Sequence, residues 1–155
     1  MALQPGRYRI YTGNPQLGLF IGPPNVHGKI VQCTAEGAAG HTIVNITRPD
    51  DNENKYCLSP ETTLIGGVIG AVHFVGNDDP RVLMLMNGPP DLDPFYGLQL
   101  WVLEPVPNED TYKIHPRPTT GLGNLHWTSK GDNMQIELED SEDTSAQKWR
   151  FVLVD

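Results

Sequence analysis

The tripeptides Tyr8-Arg9-Ile10, Tyr56-Cys57-Leu58 and Tyr112-Lys113-Ile114 repeat one Tyr-x-aliphatic pattern along the chain, and each opens a segment with room for four short strands. Self-similarity of this kind constrains architecture more than any motif does, because a unit this small cannot bury its apolar face alone and must share a core with its neighbours. The units also close on related runs. Gln99-Leu100-Trp101-Val102-Leu103 ends the second and Gln147-Lys148-Trp149-Arg150-Phe151 the third, whereas His41-Thr42-Ile43-Val44 ends the first without Gln-x-Trp. The Tyr of each opening strand and the Trp of each closing strand are therefore predicted to fill one common core.

Between these landmarks, 16 Gly and 14 Pro punctuate short runs rich in Val, Ile, Leu, Thr and aromatics, with no long window of helical periodicity. Strands are predicted at 7–11, 17–21, 29–34, 42–47, 55–58, 71–75, 82–86, 98–103, 111–115, 125–128, 134–138 and 149–154. Turn residues separate them, as in Gly76-Asn77-Asp78-Asp79-Pro80 and Lys130-Gly131-Asp132-Asn133. The chain is all-β, and such regular spacing favours a barrel or a sandwich.

Its 155 residues suit one compact domain, 1–155. The formal charge of −8 argues against nucleic acid and anionic membranes, since both partners need a basic field. Met1 to Gly6 runs directly into polar Arg7-Tyr8-Arg9 without an apolar secretory core, and a cytoplasmic monomer is expected. Two cysteines, Cys33 and Cys57, are too few for a disulfide scaffold and are expected as reduced, half-buried thiols.

The sequence shows no Gly-x-Ser-x-Gly elbow and no recognisable catalytic constellation, so a non-enzymatic protein without a cofactor is expected. The five histidines, His27, His41, His73, His115 and His126, lack His-x-x-x-His spacing, and no metal site is expected from them. Asp50-Asp51-Asn52-Glu53-Asn54 lacks the ligand spacing of a calcium loop.

Three four-stranded units, two of them ending in Gln-x-Trp, resemble the β-trefoil, a six-stranded barrel closed at one end by three hairpins. Within that fold, the start Pro5-Gly6-Arg7-Tyr8-Arg9-Ile10-Tyr11 and the end Trp149-Arg150-Phe151-Val152-Leu153-Val154 are similar to the mushroom protease inhibitors, the serine-protease-directed mycospins and the cysteine-protease-directed mycocypins. The resemblance implies a fungal defence protein that inhibits trypsin-like serine proteases through an exposed loop occupying the protease active site. Its alternatives are inhibition of a papain-like or legumain-type cysteine protease, and carbohydrate binding as a β-trefoil lectin, for which Trp127 beside His126 is the best local cue.

A loop that enters a protease cleft gains affinity when it is stiff before binding, and proline supplies stiffness through its fixed φ. On that basis the leading contact loop is Pro23-Pro24-Asn25-Val26-His27-Gly28-Lys29, the position from which the resembled inhibitors present a basic specificity residue. No Arg stands at this tip, leaving Asn25 as a neutral anchor and Lys29 as a basic one. The reserve is Lys130, set in the polar turn Thr128-Ser129-Lys130-Gly131-Asp132-Asn133, followed by Arg81 after Asn77-Asp78-Asp79-Pro80.

Overall fold

The protein is described from a computed structural model, over residues 3–13, 16–21, 29–35, 40–49, 54–61, 67–72, 81–86, 100–116 and 124–154. The first unit contributes β1 (Gly6–Thr12), β2 (Leu17–Phe20), β3 (Lys29–Ile30), β4 (Gln32–Thr34) and β5 (Val44–Thr47). The second contributes β6 (Lys55–Pro60), β7 (Gly67–Val72), β8 (Arg81–Met86) and β9 (Leu100–Pro105). The third contributes β10 (Tyr112–Pro116), β11 (Leu125–Thr128), β12 (Met134–Gln135), β13 (Glu137–Asp140) and β14 (Trp149–Leu153), with a short 3-10 helix, Ser145–Gln147, before the last strand. Among the described residues no helix is long and apolar enough to cross a membrane.

The first and last strands of the units close a barrel. β1 pairs with β5, β5 with β6, β6 with β9, β9 with β10, β10 with β14, and β14 returns to β1, all antiparallel. Alternation in sequence sets which side chains point inward. Along β6, Tyr56, Leu58 and Pro60 are buried while Lys55, Cys57 and Ser59 are half-buried. Along β9, Trp101 and Leu103 are buried between half-buried Leu100 and Val102.

The register reproduces the threefold repeat residue by residue. Tyr8 lies opposite Val44, Tyr56 opposite Trp101 and Tyr112 opposite Trp149. The same three closing residues face Pro60, Pro116 and Thr12 of the next unit. Val44 thus holds the place of the missing Trp, at the end of the His41-Thr42-Ile43-Val44 run that closes the first unit.

Two local features accompany Val44. Where the indole N–H of Trp101 donates to the Ile69 carbonyl (2.9 Å) and that of Trp149 to the Trp127 carbonyl (3.1 Å), the equivalent Leu19 carbonyl accepts instead from the Thr42 backbone N–H (3.0 Å). The His41 ring lies against Gly18, so that a Cβ there would come within 2.5 Å of it, and packs edge-on to Tyr11 at 5.2 Å.

Three hairpins cap the barrel. β2 pairs with β4, β7 with β8, and β11 with β13. Their second strands interlock through β3–β8, β8–β13 and β12–β4 contacts. The continuous strands predicted at 29–34 and 134–138 are therefore interrupted, at Val31 and Ile136, where each passes from one neighbour to another. Both residues are fully buried, and the Ile136 N–H donates to the Val31 carbonyl at 2.9 Å. The strand predicted at 71–75 begins earlier, at Gly67: glycines at 67 and 70 dilute the apolar pattern, yet Val68 and Ile69 are buried. Residues 73–75 lie outside the described residues.

Within the core, Trp127 packs edge to face against Trp101 (centroids 5.2 Å apart) and Trp149 (5.6 Å), all three with no exposed surface. At the other end of the barrel, the hydroxyls of Tyr8 and Tyr56 donate to the Gln4 and Leu3 carbonyls (2.7 and 2.8 Å), which holds the segment before β1 against the core.

Both cysteines are free, but they are not alike: Cys33 on β4 is fully buried and Cys57 half-buried. Burial pushes the Cys33 thiol up to about 12, opposed in part by a hydrogen bond with Ser129. Burial raises the Cys57 thiol as well, so iodoacetamide is expected to modify Cys57 slowly in the native protein and to reach Cys33 only on unfolding, as peptide mapping would report. Trp127→Ala should cost about 3–5 kcal/mol in urea unfolding, since it empties the site between two other indoles.

Candidate functional site

The third hairpin carries the candidate loop whose geometry is described, between β11 and β12. Gly131 (φ +119°) and Asn133 (φ +61°) take left-handed backbone, a conformation that glycine and asparagine accept most readily, so the chain reverses within five residues, 129–133. Polar contacts then fix it from several sides. The Ser129 N–H donates to the Ala146 carbonyl (2.9 Å), the Asn133 N–H to the Cys33 carbonyl (2.7 Å) and the Met134 N–H to the Gly131 carbonyl (3.2 Å). Asp132 Oδ1 accepts from the Ala35 N–H at 2.8 Å, tying the turn to the first unit.

Beneath the turn, buried Gln147 acts as a clamp. Its amide nitrogen donates to Thr128 Oγ1 (3.0 Å) and the Asp140 carbonyl (2.8 Å), and its amide oxygen accepts from the Glu142 N–H (2.7 Å). The Gln of Gln-x-Trp therefore holds both arms of the hairpin, while the Trp anchors the hairpin to the barrel.

Lys130 stands exposed on this support. Its Nζ lies 2.7 Å from Glu139 Oε2 and 3.7 Å from Glu137 Oε2. Hydrogen bonding and charge attraction to Glu139 hold the ammonium above its ordinary pKa, so it is cationic throughout the physiological range. Met134, half of its surface exposed, follows immediately.

The other candidates occupy related corners of the fold. Lys29 begins β3, its backbone opposite Met84, and so belongs to a strand rather than to a loop tip. Arg81 begins β8 opposite Glu137, whose other neighbour is Thr128 at the base of the Lys130 turn. Because Leu19 faces Cys33, Ile69 faces Met84 and Trp127 faces Leu138, Lys29, Arg81 and Met134 open the second arms of equivalent hairpins. Pro23, Pro24, Asn25, Val26, His27 and Gly28 lie outside the described residues.

Trp127 departs from the expectation attached to it. It is fully buried beneath Trp101 and Trp149 and offers no face on which a sugar could stack, because residues 126–128 are buried in succession between barrel and cap. Spacing along the chain also missed a grouping across strands: Glu104, His115 and His126 converge from β9, β10 and β11. Reading the register of neighbouring strands, rather than intervals within one, would have been needed to find it.

No protein-family model and no curated protein matches the chain. Solved structures do. A designed threefold-symmetric protein, ThreeFoil, superposes with a TM-score of 0.73 at 16% identity over 96% of this chain and 99% of its own. The BEL beta-trefoil matches at 0.67 and 12% identity over 99% and 97% of the two chains. SeviL, solved bound to asialo-GM1 saccharide, matches at 0.68 and 14% identity over 98% and 100%. These likenesses, together with a six-stranded barrel capped by three interlocked hairpins, establish the fold: the chain is a β-trefoil.

Proposed function

We propose that this β-trefoil is a reversible protein inhibitor of serine proteases of the trypsin-like class, akin to the mushroom inhibitors that its terminal motifs resemble. The observation that carries the reading is Lys130: an exposed cation at the tip of a short turn whose backbone is hydrogen-bonded to the 3-10 helix and to the first unit. A side chain held this way loses little conformational freedom on entering a cleft. Its ion pairs with Glu137 and Glu139 are solvent-screened and readily exchanged for an acidic specificity pocket. The segment from Pro23 to Lys29, from whose position the resembled inhibitors present a basic specificity residue, is the second proposed contact.

Trypsin titrated with the purified protein should be inhibited stoichiometrically. Lys130→Ala should weaken inhibition by about 30-fold or more, because an acidic pocket left without its cation costs about 2–5 kcal/mol. Absence of inhibition at micromolar protein would overturn the trypsin assignment, and equal inhibition by Lys130→Ala and the parent would move the contact to the 23–29 segment. Asp132→Ala keeps the cation but removes the acceptor of the Ala35 N–H. It should weaken inhibition several-fold while leaving the melting temperature within a few degrees of the parent, as a positioning role requires.

A further inference from the structure

Away from the loop, Glu104 on β9, His115 on β10 and His126 on β11 each place one ligand atom within 4.8 Å of the other two. The hydrogen bonds of the two rings show which nitrogens stay free for a ligand. His115 Nδ1 lies 2.8 Å from the Pro116 carbonyl and His126 Nδ1 lies 3.1 Å from the Asn124 carbonyl. A carbonyl only accepts, so each ring carries its proton on Nδ1 and leaves Nε2 with a free lone pair.

The histidine rings stand 4.9 Å apart, and His115 Nε2 lies 3.4 Å from Glu104 Oε2. Two imidazoles and a carboxylate thus converge while both ring protons are committed elsewhere. Lys113, the nearby cation, is directed to Ser141 Oγ (3.0 Å) and the Glu142 carbonyl (2.9 Å).

We propose that Glu104, His115 and His126 form a binding site for a divalent transition-metal ion of the zinc type. Two imidazoles and a carboxylate are a donor set that zinc accepts, and ring N–H groups held by carbonyls are the supporting contacts such ligands use. The 3.4 Å separation of His115 and Glu104 matches the edge of a tetrahedron with bonds of about 2.0–2.1 Å. Glu104 is 59% exposed, which leaves an entry path and a fourth position for water, while the His115 side chain is only 12% exposed. The ion would join the closing strand of the second unit to the first two strands of the third. The competing occupant is a proton on His115 Nε2, forming a salt bridge to Glu104.

The test uses the untagged chain, stripped of metal by chelator, titrated with zinc by calorimetry and with cobalt by visible absorption. One zinc per chain, a raised melting temperature, and affinity reduced about tenfold or more in both Glu104→Gln and His115→Gln are expected. Glu104→Gln alters an exposed side chain, so it reports on binding even where the histidine variant folds poorly. No saturable zinc binding up to millimolar concentration would favour the proton and overturn the proposal. Binding that neither variant weakens would overturn it equally.

Discussion

The edge-to-face contacts of Trp127 with Trp101 and Trp149 join the two halves of this molecule, because Trp101 and Trp149 belong to barrel strands and Trp127 to a capping hairpin. Each aromatic pair adds about 0.5–1.5 kcal/mol beyond the area it buries. The larger effect is geometric. Indole N–H groups that donate to Ile69 and Trp127 carbonyls fix the height of two hairpins above the barrel, and Gln147 then fixes the arms of one of them. The first unit, with Val44 in place of Trp, substitutes a backbone hydrogen bond from Thr42 and the ring of His41 packed on Gly18.

A rigid cap is what makes a short surface turn useful. Residues 129–133 contribute little apolar surface, yet contacts to Cys33, Ala35 and Ala146 from outside the hairpin prevent the turn from reorienting. Function on this scaffold is therefore separable from fold: side chains at the tip can change while the anchoring groups stay. The Glu104, His115 and His126 cluster uses the same scaffold differently, drawing its members from neighbouring strands rather than from a loop.

Much of the architecture is legible in the amino-acid order. The three Tyr-x-aliphatic tripeptides mark the opening barrel strands, and Tyr56 and Tyr112 do face the tryptophans of their own closing strands. Glycine and asparagine in Lys130-Gly131-Asp132-Asn133 announce a turn, and a turn is present. What escapes the sequence is whatever depends on a third strand. The interruptions at Val31 and Ile136 arise where a capping strand changes partners at the threefold centre, and the burial of Trp127 follows from packing between barrel and cap. Local periodicity carries neither.

The three units form one cooperative barrel, which β1 closes by pairing with both β5 and β14. Native-state hydrogen exchange at increasing urea tests it most directly, strand by strand. The slowest amides of β1, β5, β6, β9, β10 and β14 are expected to converge on a single opening free energy equal to that of global unfolding. A unit whose barrel strands exchange through a separate, lower-energy opening while the other two stay protected would contradict it.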